Sequence, residues 1–316
     1  MLKKSSLWMP TLVFVSYFNL FIVGSPDLSS LEASEVSNFE RRDGGLDHRS
    51  SKNSEGESHE ENSEPQPDLY GYVGKVYSSV EYGVRMPYRL FVPEDYSTSR
   101  KYPLVLFLHG GGRMGTDNIR QVKNNQGAMC WVQKEVLAKH PAIVVAPQMS
   151  KESGGWIGPV NFRRGSYSCA DLQLNNLVPV VFELLDTIEH KYNIDASRIY
   201  VTGQSLGGIA TWYIAMKYPD KVTAVAPVCG AGDPQMDNLS RELPIWAFHG
   251  AKDPTIPVSG SREMVNAFRM SGNKHVRYSE YPDVDHNAWD RAYQDDLDRD
   301  GEIDLIEWMF AQRRKE

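Results

Sequence analysis

One serine sits between two glycines in Gly203-Gln204-Ser205-Leu206-Gly207, between the apolar run Ile199-Tyr200-Val201-Thr202 and a helix-like stretch that begins at Gly208. Strand, sharp turn and helix in that order are what a nucleophile elbow requires. The corner strains the backbone at the serine and leaves no room for neighbouring β-carbons, which is the steric work of the two glycines. A chain that turns such a corner sets a strand end beside a helix start, as in a sheet covered by helices.

The rest of the chain repeats that alternation. Val76 to Tyr82 and Arg89 to Val92 read as a leading antiparallel hairpin, closed by the proline turn at Pro93. Strand candidates follow at Pro103–Leu108, Ala142–Ala146, Arg198–Thr202, Val222–Val228, Ile245–Phe248 and His275–Glu280. Helices are expected near Met129–Lys139, Leu174–Tyr192, Gly208–Lys217 and Ser259–Ser271. Short apolar runs separated by longer amphipathic segments predict an α/β fold with a mostly parallel central sheet flanked by helices. Ligands of such sheets lie beyond the C-terminal strand ends. His109, Gln148, Ser205, Cys229, His249 and Asp253 all follow strand candidates, so they are expected along one rim.

A serine hydroxyl is a poor nucleophile at neutral pH, and needs an imidazole to take its proton and an acid to fix the imidazole tautomer. His286, in Val284-Asp285-His286-Asn287-Ala288-Trp289, lies just beyond the last strand, where a loop can return it over Ser205. His249 competes for the role, but its place before Gly250 at a strand end puts it beside the site. Asp253 follows a strand directly and is the expected acid; Asp285 is adjacent to the base, and Asp283 and Asp233 are weaker alternatives. Charge developing on a carbonyl oxygen needs preorganised donors. The backbone N–H of Leu206, at a helix start, supplies one, and that of Gly111, helped by Gly112, supplies the other. The latter belongs to His109-Gly110-Gly111-Gly112, immediately after the buried-strand candidate.

These segments, with Gly115-Thr116-Asp117-Asn118 and Ala146-Pro147-Gln148, resemble the α/β-hydrolase superfamily from about Tyr72 to Arg314. Within it the chain is similar to carboxylesterases of the phospholipase/carboxylesterase-like or predicted-peptidase type, related to polyhydroxybutyrate depolymerases and feruloyl esterases. The resemblance implies an α/β-hydrolase fold, with Ser205 as nucleophile, Asp253 as acid, His286 as base, and Gly111 and Leu206 as oxyanion donors. Relatives often carry Gly-Glu where this chain has Gly112-Arg113, which changes the charge expected at the mouth. Asn118, Gln148, Trp156, His249 and Trp289 are the residues expected around the substrate. Trp156 could stack on an aromatic acyl group or equally pack its loop against the domain.

A second motif, Asp296-Leu297-Asp298-Arg299-Asp300-Gly301-Glu302-Ile303-Asp304-Leu305-Ile306-Glu307, matches a calcium loop of the EF-hand type. Aspartates stand at positions one, three and five, glycine at six, a backbone carbonyl from Glu302 at seven, Asp304 at nine and Glu307 at twelve. Carboxylates this dense repel one another unless a cation neutralises them. A single loop so close to His286 predicts a structural Ca²⁺ rather than a sensor.

The chain has 316 residues, more than one large α/β domain needs. Lys3 and Lys4 precede an apolar stretch from Leu7 to Val23 and the small residues Gly24 and Ser25, which reads as an export signal over 1–25. From 26 to 68 the composition turns polar and acidic, as in Glu55-Gly56-Glu57-Ser58, and reads as a disordered spacer ahead of a catalytic domain at 69–316. The expected location is therefore secreted or periplasmic. A net charge of −7 without a basic stripe argues against a nucleic-acid partner. Cys130 and Cys169 fall near the expected top of the sheet, where they could pair, while Cys229 reads as a small buried hydrophobe. The expectation is a serine hydrolase acting on small or polymeric carboxylic esters, with no cofactor for the chemistry and no transmembrane partner. A peptidase with the same residues, or a non-catalytic binding protein that keeps the fold, are the alternatives.

Overall fold

The computed structural model describes residues 60–61, 69–161, 165–171, 176–294 and 304–314. The segments read as export signal and spacer lie outside the described residues, except for Glu60–Glu61. Nine strands form one sheet: β1 (Glu60–Glu61), β2 (Val73–Ser79), β3 (Val84–Phe91), β4 (Tyr102–Leu108), β5 (Ile143–Pro147), β6 (Ile194–Gln204), β7 (Ala224–Val228), β8 (Ile245–Gly250) and β9 (Val276–Tyr281). Their order is β1-β2-β3-β5-β4-β6-β7-β8-β9. The first three pairings are antiparallel and the remainder parallel. The leading hairpin, β2 against β3, runs in register from Val73↔Leu90 to Ser79↔Val84.

Seven helices flank the sheet among the described residues: α1 (Gln126–Met129), α2 (Lys134–Lys139), α3 (Val178–Lys191), α4 (Leu206–Lys217), α5 (Ser259–Met270), α6 (Trp289–Ala292) and α7 (Leu305–Phe310). Alternate side chains of each strand go to opposite faces. Leu104, Leu106 and Leu108 of β4 therefore join α3, α4 and α5 in one core, while Val105 and Phe107 join α1, α6 and α7 in another. β4, buried at every position, is the spine between the two.

The helix expected over Met129–Lys139 is broken. Trp131 is drawn into the core with its Nε1 donating to Gly127 O at 2.8 Å, and Gln133 is extended, so α2 restarts at Lys134. The helix expected from Leu174 starts at Val178, where Asn176 Oδ1 accepts the Val178 N–H at 3.0 Å and proline occupies the first turn. The possible Cys130–Cys169 pairing is not made: none of the three cysteines is in a disulfide. Cys130 packs in the core with α1 and Cys169 against the core on the other face, so the sheet stands between them.

Candidate active site

Ser205 joins β6 to α4 at φ 56° and ψ −116°, a backbone conformation that L-residues rarely adopt. Main chain holds it there. Its N–H donates to Val228 O on β7 at 2.9 Å. A β-carbon at Gly203 would stand 2.5 Å from Gly207 O and 2.7 Å from Leu108 O, and one at Gly207 would run into the Leu108 carbonyl. The elbow thus packs backbone on backbone against the end of β4.

The loop after β9 brings His286 over the serine. That loop is pinned to the end of β8 by Lys252 N–H to Val284 O at 3.0 Å and Ala251 N–H to Tyr281 O at 2.9 Å. His286 Nε2 lies 2.9 Å from Ser205 Oγ, and Nδ1 lies 2.7 Å from Asp253 Oδ2. The ring meets Trp289 edge-on, with centroids 5.1 Å apart. Asp253 is buried, and its Oδ1 accepts the N–H groups of Thr255 at 2.8 Å and Ile256 at 3.0 Å. Burial pushes this carboxyl up, but hydrogen bonds from His249, His286 and Ile256 together outweigh it and hold Asp253 well below the usual carboxylate range.

The loop after β4 approaches the elbow from the other side. A β-carbon at Gly110 would sit 3.2 Å from Ser205 Cβ, and one at Gly111 the same distance from Leu206 Cδ1. Among the described residues neither the Gly111 nor the Leu206 N–H has a protein acceptor. Both lie at the first residue of a helical turn, where N–H groups have no partner within the helix. His109 anchors the loop: its Nδ1–H donates to Gly110 O at 2.7 Å, and its Nε2 accepts from Met149 N–H at 3.2 Å. Burial drives the His109 pKa from 6.5 down to about 4.

Three residues expected to wall the substrate pocket brace this loop instead. Asn118, Gln148 and Trp156 are all buried. Gln148 Oε1 accepts the Asn118 N–H at 2.7 Å, while its Nε2 donates to Arg113 O and Asp117 Oδ1. Trp156 Nε1 donates to His109 O at 2.9 Å, which packs its loop against the domain. Gln148 also lines a cavity of about 400 Å³ with Tyr82, Met86, Met149 and Leu177, and Ser205, His286 and Asp253 are not among its lining residues. His249, also expected near substrate, has no exposed surface and lies behind Asp253. Trp289 alone of the five keeps partial exposure beside His286.

Two contributions had no local signal in the sequence. Thr202 Oγ1 and Tyr293 OH lie 2.8 Å apart in the core, tying the turn after His286 to the strand that carries Ser205. Ser261 of α5 meets His249 Nδ1 at 2.7 Å.

Cys229, His249 and Asp253 offer three ligand atoms within 4.8 Å of one another, a potential metal-coordinating cluster among the described residues. The donor set fits a cation poorly. Burial and the Asp253 charge push the Cys229 thiol up to about 12, and Asp253 Oδ2 already accepts from His286. Of the calcium motif, Asp296, Asp298, Asp300 and Glu302 lie outside the described residues. Asp304 Oδ1 accepts the Glu307 N–H at 2.7 Å and caps α7. The Glu307 carboxylate lies 2.9 Å from His140 Nε2 and 3.3 Å from Lys139 Nζ, so ligation by Glu307 would have to open that pair.

The sheet order, the strained serine at the β6–α4 corner and the histidine returned from beyond β9 define an α/β hydrolase. The family model described as "Putative esterase" matches residues 79–291, and the chain belongs to that family. A protein of Aspergillus terreus named "Probable feruloyl esterase C" is 28% identical over 57% of this chain and 60% of its own length. The match therefore spans less than two thirds of that relative. A solved structure of a thermostable esterase is 35% identical with a TM-score of 0.67, covering 77% of this chain and 64% of that one. A ferulic acid esterase of Anaeromyces mucronatus, with TM-score 0.52 over 72% of this chain and 93% of that one, is 17% identical and shows the likeness of fold alone. No helix of the described residues is long and apolar enough to cross a membrane.

Proposed function

We propose that this protein is an exported serine carboxylesterase that works through an acyl-enzyme. The observation that carries the reading is the unbroken relay from Ser205 Oγ to His286 Nε2 at 2.9 Å and from His286 Nδ1 to Asp253 Oδ2 at 2.7 Å. Ser205 Oγ attacks the ester carbonyl carbon while its proton passes to His286 Nε2. The carbonyl oxygen, now negative, takes hydrogen bonds from the Gly111 and Leu206 N–H groups. When the tetrahedral adduct collapses, the C–O bond to the alcohol breaks and His286 gives that proton to the leaving alkoxide. A water then repeats the sequence against the acyl-serine, releasing the acid and restoring Ser205. Asp253 keeps the His286 proton on Nδ1 throughout, leaving Nε2 free to accept.

Short-chain, hydroxycinnamoyl and polyester-type esters are the substrate classes, supported by the esterase family and by the feruloyl esterase name of the Aspergillus relative. Residues 1–25 direct export, 26–68 serve as spacer, and 69–316 form the catalytic domain. The 296–307 loop is a structural calcium site, supported by its filled ligand pattern and by the Asp304 cap.

The test is hydrolysis of p-nitrophenyl acetate, butyrate and octanoate, methyl ferulate and a peptide p-nitroanilide by the wild type and by Ser205→Ala. Ester turnover that falls by at least about 10³-fold in the variant is expected. Equal turnover in both proteins refutes the reading, and anilide turnover exceeding ester turnover replaces it with a peptidase.

A further inference from the structure

His249, the penultimate residue of β8, is wholly enclosed, and the proposed reaction assigns it nothing. Its Nε2 stands 3.0 Å from the Ile256 carbonyl oxygen and 3.2 Å from Asp253 Oδ2. A carbonyl and a carboxylate only accept, so the ring proton belongs on Nε2. On the other side Nδ1 is 2.7 Å from Ser261 Oγ, which is also 3.2 Å from Gly230 O. The Gly230 carbonyl only accepts, so the Ser261 hydroxyl donates there. His249 Nε2–H therefore donates to Ile256 O, with Asp253 Oδ2 on the same side of the ring.

Asp253 Oδ2 then lies between two imidazole N–H groups, His286 Nδ1–H at 2.7 Å and His249 Nε2–H at 3.2 Å. Its other oxygen is held by the backbone of Thr255 and Ile256. We propose that His249 is a positioning residue for the ester hydrolysis, acting through Asp253 by holding Oδ2 where the His286 Nδ1–H meets it. The inference rests on reading Ser205, His286 and Asp253 as the catalytic relay.

Among the described residues, His286 and His249 are the rings that face Asp253 Oδ2. Cys229 at the end of β7 is a neutral thiol, since burial pushes it up to about 12. Glu280 of β9, opposite His249, is tied to Arg262 of α5 at 2.5 and 2.8 Å. Asp285 lies in the His286 loop and is exposed. Removing the His249 donor leaves Oδ2 held by His286 alone, so the carboxylate can shift and the His286 ring with it.

Two variants separate donation from space-filling. In His249→Gln the amide N–H can stand where Nε2 stands, whereas His249→Met fills the volume without a donor. The Met variant is expected to lose about tenfold in kcat with KM nearly unchanged. The Gln variant should recover kcat to within about threefold of wild type. Wild-type kcat in His249→Met, or a loss in His249→Gln equal to that in His249→Met, overturns the proposal. Should His249→Met fail to fold, ¹⁵N-labelled wild type decides: one imidazole, missing in His249→Gln, should carry a proton on Nε2 at about pH 7. A His249 ring with no proton on Nε2 overturns it equally. Ser205→Ala keeps the two readings apart, because undiminished turnover there sinks the relay itself whatever His249 does.

Discussion

Acid should unfold this protein through a histidine before it does so through carboxylates. His109 is fully buried and neutral, donating from Nδ1 and accepting at Nε2, with its pKa lowered from 6.5 to about 4 by burial. In the unfolded chain the same ring takes a proton near pH 6.5. Between those two values the unfolded state binds the extra proton, so stability is intact above pH 6.5 and falls as pH drops toward 4. A difference of this size implies a loss of about 2 kcal/mol at pH 5 and roughly 3 kcal/mol once pH reaches 4. The replacement His109→Gln has no proton to take up, yet its amide oxygen can still accept the Met149 N–H. It should lower stability at pH 7 by a constant amount but flatten the dependence below pH 6.5. Urea unfolding at half-unit steps from pH 7.5 to 4.5 measures the two slopes, and carboxylates contribute equally to both proteins. Parallel curves for wild type and His109→Gln would mean that His109 is not held neutral, and the account of how the oxyanion loop is anchored would fall with it.

Asp253→Asn should lower kcat by about 10⁴-fold at pH 7 with the fold intact. The amide oxygen must stay with the Thr255 and Ile256 N–H groups, which turns its NH₂ toward His286 and moves that ring's proton to the side facing Ser205; a loss below tenfold in p-nitrophenyl acetate turnover contradicts this. Calcium at about a hundred times its Kd should raise Tm by roughly 5–10 °C, with EGTA reversing the shift. Asp300→Ala should abolish that response, and a Tm indifferent to calcium and chelator in the wild type removes the calcium site.

The elbow was legible because its constraint is local: two glycines beside a serine, a strand before and a helix after, all within a few residues. His286 and Asp253 could be named because chain order limits which histidine and acid can follow the last strands. The brace was harder to read, since Gln148 meets Asn118 thirty residues away and Trp156 meets His109 forty-seven away, and spacing of that kind leaves no periodic trace. His249 left a partial one: it shares the strand parity of Ile245 and Ala247, which face the core built with α5, but parity does not name Ser261 as its partner. The helix break at Gln133 came from burial of Trp131, a tertiary demand that outweighs the helical preference of its neighbours.

The serine corner is gripped by main chain: Val228 O on one side, and the Leu108 carbonyl against Gly203 and Gly207 on the other. Contacts of that kind are indifferent to which side chains surround them, so drift elsewhere in the sequence leaves them standing, while a single β-carbon at either glycine blocks them. Descendants of this chain are free to change what they hydrolyse and are barred from small adjustments to how they do it. A library seeking new ester preferences should therefore keep 203–207 constant and spend its diversity on the connections that follow the strand ends.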